Sequence, residues 1–178
     1  MGTPASFTPP LDLTVSSMSE EVLEKLASEG ASLTSLKRIV SGGSAVPSWV
    51  IRDFKEKHGV DVLQVWGMTE ISPLGTTNSP LAKHADHGPE EAFSRMESAG
   101  RLNWAVEIRI VDDDGNELPR DGSEGRIQVR GPTVIKRYMF HGSDAVDESG
   151  WFETGDLGVI DSDGFLDITD RSKDLIKS

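Results

Sequence analysis

The sequence predicts an α/β fold that changes, partway along the chain, to mainly antiparallel β structure. The first observation is a strand–helix–strand pattern, in which β-branched runs at residues 36–40 and 60–65 flank an amphipathic segment at residues 47–58. Such a βαβ unit implies two parallel strands. The second observation is that apolar residues alternate with a period of two after Gly100, as in residues 106–111, which is typical of antiparallel strands.

The composition excludes several classes of function. The formal net charge of −12 argues against nucleic acid or an anionic membrane surface as the main partner. The chain contains no cysteine, which excludes disulfides and thiolate chemistry. No apolar run reaches the length of a transmembrane segment, and the first residues lack the pattern of a signal peptide. We therefore expect a soluble protein of the cytoplasm or of an organellar lumen or matrix.

Changes in composition divide the chain into five predicted regions. They are an irregular lead-in (residues 1–17), an α/β sheet portion (18–80), a connecting loop (81–99), a small antiparallel β-barrel subdomain (100–170) and a terminal segment (171–178). The lead-in is rich in Pro, Ser and Thr, and the connecting loop is polar with scattered prolines, so neither predicts a packed element.

Residues 64–70, with the sequence Gln-Val-Trp-Gly-Met-Thr-Glu, carry polar groups at the end of a predicted strand. In open α/β sheets, ligands bind beyond the carboxyl ends of the strands. Gly67 permits close approach of the backbone, Thr69 can hydrogen-bond a phosphate, and Glu70 can bind a hard cation such as Mg²⁺. A strand followed by an ordinary turn explains the same pattern, so this stretch alone leaves both interpretations open.

Three clusters occur in order along the chain: residues 64–70, residues 150–156 (Gly-Trp-Phe-Glu-Thr-Gly-Asp) and residues 170–174 (Asp-Arg-Ser-Lys-Asp). Together they resemble the adenylate-forming, or AMP-binding, superfamily of acyl-CoA synthetases, luciferases and peptide-synthetase adenylation domains. The resemblance covers about residues 36–178 and is closest to medium- and long-chain fatty acyl-CoA ligases.

The resemblance implies the architecture in more detail. The chain would be the end of the large N-terminal domain of an adenylate-forming enzyme, with a parallel βαβ sheet portion followed by a small antiparallel β-barrel subdomain. Residues 171–178 would be the hinge and the start of the missing C-terminal domain. The family's Ser/Thr/Gly-rich phosphate loop and the lysine of its small domain are not found in the sequence. We therefore expect the chain by itself to be inactive.

The resemblance also implies roles for single residues. Thr69 would contact a phosphate and Glu70 would bind magnesium, which makes these two the predicted catalytic residues. Trp66 would pack on the adenine, with a core tryptophan as the alternative. Asp156 would accept hydrogen bonds from the ribose hydroxyls, with a turn cap as the alternative. The predicted nucleotide-binding residues are Gly43, Ser44, Ala45, Gln64, Val65, Trp66, Gly67, Asp156, Arg171, Lys173 and Lys177. Solvated surface charges are an equal alternative for the two lysines.

The function implied is ATP-dependent activation of a fatty acid to an acyl-adenylate, followed by thioester formation with CoA. ATP, the fatty acid and CoA are the predicted partners, Mg²⁺ is the predicted cofactor, and a homodimer of the full-length enzyme is consistent with the resemblance. Two alternatives stay open. The chain could be a non-catalytic, truncated nucleotide-binding remnant, or part of a ligase for an aryl or other carboxylate.

Two positions depart from the family pattern. Arg126 stands where the family usually has an acid, and Arg137 precedes Tyr138 where the family usually has glycine. We expect these departures to affect the surface of the β subdomain more than the chemistry.

Overall fold

The computed structural model describes residues 16–31, 33, 35–84, 86, 88–139 and 144–171. They belong to two compact units, which are described separately. The first unit includes the residues up to Trp66 together with residues 78–97, and the second includes residues 67–77 and those from Ser98 onward. The predicted change of architecture is confirmed, because helices accompany parallel strands in the first unit and antiparallel strands dominate the second.

The first unit contains the predicted βαβ arrangement. Its elements are α1 (Ser16–Glu29), β1 (Arg38–Gly42), α2 (Ser48–His58), β2 (Asp61–Gly67) and α3 (Pro89–Glu97). Strands β1 and β2 are parallel, with Ile39 opposite Val62. Helix α2 begins after Pro47, which suits a helix start, and ends at Gly59, whose φ of 66° closes it in the left-handed conformation. Among the described helices, none is long and apolar enough to cross a membrane.

The core of the first unit lies between its helices and strands. Helix α2 buries Val50, Ile51 and Phe54 on one face, as their helical spacing predicts. These residues belong to one apolar cluster with side chains of α1, such as Leu26, and of β2, such as Val62. Burial of this face, rather than helix propensity, is what holds a helix of this length in place.

Helix α3 lies in the segment that the sequence analysis interpreted as a connecting loop. None of its side chains is fully buried, although Met96 packs against the apolar cluster of the first unit. Tertiary contacts hold it against α2: the Arg52 guanidinium donates two hydrogen bonds of 3.1 Å to the Glu90 carboxylate and stacks 4.2 Å from the centroid of the Phe93 ring. Pro89 in the first turn, followed by two acidic residues, is the local signal that could have predicted this helix.

The second unit is an antiparallel array of six strands. They are β3 (Leu74–Thr77), β4 (Gly100–Leu102), β5 (Glu107–Val111), β6 (Glu124–Arg130), β7 (Phe152–Ile160) and β8 (Phe165–Arg171). Their spatial order is β3-β4-β8-β7-β6-β5, and each neighbouring pair is antiparallel. Ile108 and Ile110 of β5 are buried with Ile127 and Val129 of β6, as the period of two predicts.

Strands β3 and β4 were not predicted. They have four and three residues, which is too short for a hydrophobic period to be recognised. Long-range pairing creates them: Thr76 lies opposite Leu102, and the Thr76 hydroxyl donates a 2.7 Å hydrogen bond to the Ala99 carbonyl. Residues 67–77 thereby join the second unit.

Candidate functional site

A single 3₁₀ turn, Thr69–Ile71, carries the two residues predicted to be catalytic. Ile71 is fully buried and anchors the turn, whereas Thr69 is exposed and Glu70 is half-buried. Ser72 adopts a left-handed conformation at φ 61° and donates its N–H to the Thr69 carbonyl, which ends the turn. The turn therefore fixes the backbone of Thr69 and Glu70 while leaving their side chains outside the core.

Gly67 permits the chain to fold back on itself before this turn. A Cβ atom at residue 67 would overlap the backbone carbonyl oxygen of Pro73. The predicted close approach is therefore made by the chain's own backbone, and only glycine leaves room for it.

Glu70 is held by a segment that follows β6. The Tyr138 hydroxyl donates a 3.0 Å hydrogen bond to Glu70 Oε1, and the Ile135 N–H donates a 2.8 Å hydrogen bond to the Glu70 carbonyl oxygen. Partial burial and the neighbouring Glu70 carboxylate both raise the pKa of Tyr138 above its usual value, so the phenol is a donor at neutral pH. The sequence analysis named Tyr138 only as the residue that follows Arg137, and it missed this contact, for which no local signal exists.

Asp156 lies in a β-bulge of β7 and is only 6% exposed. The register between β6 and β7 shifts there, so that residues 154–156 lie opposite Ile127 alone. The Thr154 hydroxyl donates a 2.8 Å hydrogen bond to the Ile127 carbonyl and accepts one of 3.2 Å from the Asp156 N–H. Bulges redirect side chains and are common beside functional sites.

A second register shift lies on the other side of Asp156. Between β7 and β8 the pairing shifts after Leu157, and Thr169 of β8 is the extra residue. Arg171 lies directly opposite Asp156 in this ladder. Asp156 and Arg171, both predicted to bind the nucleotide, are thus cross-strand neighbours in the β7–β8 ladder.

The turn that leads into the cluster at residues 150–156 is stabilised by arginine guanidinium groups that stack on a tryptophan ring. Two guanidinium groups stack on the Trp151 ring, with Arg109 Cζ 4.3 Å and Arg130 Cζ 4.6 Å from the ring centroid. The backbone N–H of Trp151 donates a 2.8 Å hydrogen bond to the Asp147 carboxylate, and Arg130 pairs with Glu107 at 2.6 Å. Trp151 therefore orders the start of the motif, in a structural role.

We expect Trp151→Leu to lower the free energy of unfolding by about 1–2 kcal/mol, since two partly exposed cation–π contacts are lost at about 0.5–1 kcal/mol each. Urea unfolding followed by circular dichroism measures the change. Trp104→Leu is the matched control, because Trp104 is 95% exposed and should contribute almost nothing. Equal effects of the two substitutions would contradict a stabilising stack.

In the first unit, the loop that carries the predicted nucleotide-binding residues Gly43, Ser44 and Ala45 follows β1. Gly43 has a φ of 91°, which favours glycine, and Gly43, Ser44 and Ala45 are all exposed. The loop returns to the core at Val46, which is buried, and the Val46 N–H donates a 2.9 Å hydrogen bond to Gln64 Oε1.

Gln64 acts as a brace inside the first unit. The residue is 6% exposed, and Nε2 donates hydrogen bonds to the carbonyls of Glu97 at 2.6 Å and Met96 at 3.2 Å, at the end of α3. Both ends of its side-chain amide are therefore used within the protein. Its predicted nucleotide contact stays a prediction, and the structure gives its side chain a positioning role.

The remaining predicted residues have simpler surroundings. Val65 and Trp66 are half-buried at the end of β2, in the first unit. Thr69, Glu70, Asp156 and the backbone of Arg171 all lie in the second unit. Lys173 and Lys177 lie outside the described residues.

Sequence comparison adds an independent observation. The family described as "AMP-binding enzyme" matches residues 8–139, which is most of the chain and includes the turn that carries Glu70. The chain belongs to this family. The second and third clusters, residues 150–156 and 170–174, lie beyond the matched residues.

Two curated relatives of this chain are named CoA ligases. The medium-chain-fatty-acid–CoA ligase of Ectopseudomonas oleovorans is 49% identical over 158 residues, which are 88% of this chain and 29% of that protein. The 3-methylmercaptopropionyl-CoA ligase of Ruegeria lacuscaerulensis is 48% identical, with the same coverage. The chain therefore spans about 29% of the length of these relatives.

A solved structure shares the fold. The O-succinylbenzoate coenzyme A synthetase of Bacillus subtilis, determined in complex with AMP, superposes with a TM-score of 0.71 at 30% identity. The superposition covers 90% of this chain and 31% of the synthetase. The fold of the chain thus corresponds to about 31% of the length of the synthetase.

Proposed function

We propose that this chain is the nucleotide-binding part of an ATP-dependent fatty acyl-CoA ligase. The observation that supports this most directly is the setting of Glu70 and Asp156. Both carboxylates lie in irregular backbone of the second unit, one in the 3₁₀ turn after β2 and the other in the bulge of β7. Both curated relatives are named CoA ligases, which supports the reaction class.

The surroundings of Glu70 fit a magnesium ligand. Mg²⁺ in phosphate sites is usually bound by one or two carboxylates, substrate phosphates and water. Glu70 Oε1 accepts a hydrogen bond from Tyr138, and no described residue donates to Oε2. No cluster of three acidic or histidine side chains that could hold a metal occurs in the part of the chain that the structure describes. The nucleotide phosphates would therefore share the cation with Glu70.

The proposed reaction has two steps. An oxygen of the substrate carboxylate attacks the α-phosphorus of ATP, the bond to the bridging oxygen breaks, and pyrophosphate leaves with that electron pair. The CoA thiol then loses its proton to solvent and its sulfur attacks the acyl carbon, the bond from that carbon to the phosphate oxygen breaks, and AMP leaves with that electron pair. Bound magnesium would offset the negative charge that develops on the phosphates.

The chain's own residues would bind and orient the nucleotide. The Thr69 hydroxyl donates a hydrogen bond to a phosphate oxygen, and Glu70 holds the cation. The Asp156 carboxylate accepts hydrogen bonds from the two ribose hydroxyls. Holding the reacting groups in one geometry lowers the entropic part of the barrier, which is why we assign these residues to the first step.

A chimera tests this function. The corresponding segment of the Ectopseudomonas oleovorans ligase is replaced by this chain, and ATP–pyrophosphate exchange is measured with fatty acids of increasing length. We expect exchange with fatty acids, and we expect Glu70→Gln to lower its rate by about 10²–10³. The 178-residue chain alone serves as the negative control, since its sequence contains neither the phosphate loop nor the lysine that the family uses.

The controls separate the alternatives. Glu117→Gln changes an exposed glutamate away from these residues and should leave the rate unchanged. Aryl acids are tested as well, and 3-methylmercaptopropionate is included because of the Ruegeria relative. A preference for one of these acids would mean that the substrate is that class of acid and not a fatty acid. A chimera that folds but catalyses no exchange with any acid would contradict the proposal and favour a non-catalytic nucleotide-binding segment.

A further inference from the structure

Two hydrogen bonds connect Glu70 to one segment of the chain, which comprises residues 131–139 and is called here the clamp segment. The Ile135 N–H fixes the Glu70 backbone at 2.8 Å, and the Tyr138 hydroxyl fixes the side chain at 3.0 Å. Because the two donors hold both the backbone and the carboxylate, the clamp segment restricts both the position and the rotation of Glu70.

The clamp segment is itself held by other contacts. Val134 is buried, and its N–H donates to the Gly131 carbonyl at 3.1 Å, which forms a turn directly after β6. The Arg137 guanidinium forms a 2.8 Å ion pair with the carboxylate of Asp144. A support that is ordered without the help of Glu70 can orient Glu70, whereas a loose loop could not.

Tyr138 uses only one oxygen of the Glu70 carboxylate. Oε1 accepts the phenol, and Oε2 accepts no hydrogen bond from the residues that the structure describes. A ligand carboxylate anchored at one oxygen presents the other in a fixed direction. Mg²⁺ requires near-octahedral geometry, so this direction affects its affinity.

We propose that Tyr138 is a positioning residue for the metal-binding carboxylate of Glu70, an inference that rests on the proposed function. Loss of a partner that orients a metal ligand typically costs about 10–100-fold in metal affinity or activity. Tyr138→Phe removes one hydroxyl and keeps the ring, so it isolates the hydrogen bond from the packing.

The first measurement detects the contact in solution without any ligand. Tyr138 is the only tyrosine in the chain, so protein labelled with [ζ-¹³C]tyrosine gives one ring-carbon signal. We expect Glu70→Gln to shift this signal, because the phenol loses a charged acceptor, and Glu117→Gln to leave it in place. An identical signal in the wild type and Glu70→Gln would overturn the inference.

The second measurement uses the chimera and titrates Mg²⁺ at saturating ATP. We expect Tyr138→Phe to raise the half-saturating Mg²⁺ concentration by about 10-fold or more and to reach the wild-type rate at high Mg²⁺. Glu117→Gln is the control, because it changes an exposed glutamate outside the clamp segment and should leave the half-saturating Mg²⁺ concentration unchanged. A merely structural role would lower the maximal rate instead.

The outcomes distinguish the two proposals. If Glu70→Gln raises the half-saturating Mg²⁺ concentration and Tyr138→Phe does not, the positioning role is wrong and the proposed function stands. If neither substitution changes this concentration, Glu70 is not the metal ligand. Both the role of Glu70 in the proposed function and the positioning role of Tyr138 are then wrong. An inactive wild-type chimera contradicts the proposed function and overturns the inference that depends on it.

Discussion

Gly67→Ala is expected to destabilise the chain by more than the about 1–3 kcal/mol typical of overpacked core substitutions. The added Cβ would overlap the Pro73 carbonyl oxygen, and it would lie 2.9 Å from the Pro73 carbonyl carbon and 3.0 Å from Leu74 Cα. All three atoms belong to the backbone, so no side-chain rotation relieves the overlap. The turn Thr69–Ile71 lies between Gly67 and Pro73, and it must move as well.

Urea unfolding of the 178-residue chain measures the loss, and exchange by the chimera measures the displacement of Glu70. Gly88→Ala is the matched control, since no atom lies within 4 Å of a Cβ there and the residue is exposed. Exposed substitutions of this kind usually change stability by less than about 0.5 kcal/mol. If Gly67→Ala were as stable and as active as Gly88→Ala, the tight approach of residues 67 and 73 would not exist in solution.

Gln64→Leu is the second substitution with a large expected effect. It leaves the buried Val46 N–H without its acceptor and removes the donor to the Met96 and Glu97 carbonyls. Each buried polar group left unsatisfied costs about 1–3 kcal/mol, and water can reach part of the α3 end, so we expect a loss of about 2–4 kcal/mol. Against a typical unfolding free energy of about 5–15 kcal/mol this is a large fraction.

Gln128→Leu makes the same chemical change on a strand face where water can replace the lost partners. Gln128 bonds Arg109 at 2.8 Å and Glu153 at 3.0 Å, and we expect this variant to lose less than about 1 kcal/mol. Hydrogen exchange at the Val46 amide provides a local readout, since exchange should accelerate in Gln64→Leu alone. Equal unfolding free energies for the two variants would show that the brace does not stabilise the first unit.

Local sequence patterns were sufficient where an element buries a regular face. Helix α2 was predicted closely because Pro47 and Gly59 mark its ends and Val50, Ile51 and Phe54 share one face. Strand β5 was predicted because its alternation has one buried side. In both cases the information lies within a few neighbouring residues.

Elements that depend on distant partners were missed. Helix α3 buries no side chain and is held through Arg52, and β3 and β4 exist because Thr76 pairs with Leu102. A segment of three or four residues cannot show a hydrophobic period, so its structure follows from its neighbours in space. The polar stretch after Asn78 was interpreted as a loop from its composition for the same reason, since local sequence does not report contacts with distant residues.

The sequence by itself determined the order of the architecture, the family and the residue types available for nucleotide chemistry, because each depends on composition, local period or motif order. Only the tertiary structure decided how those residues are held. The hydrogen bond from Tyr138 to Glu70 joins residues 68 positions apart, and the brace from Gln64 to Glu97 joins residues 33 positions apart. Such contacts form when the fold closes long loops, and no pattern of neighbouring side chains encodes them.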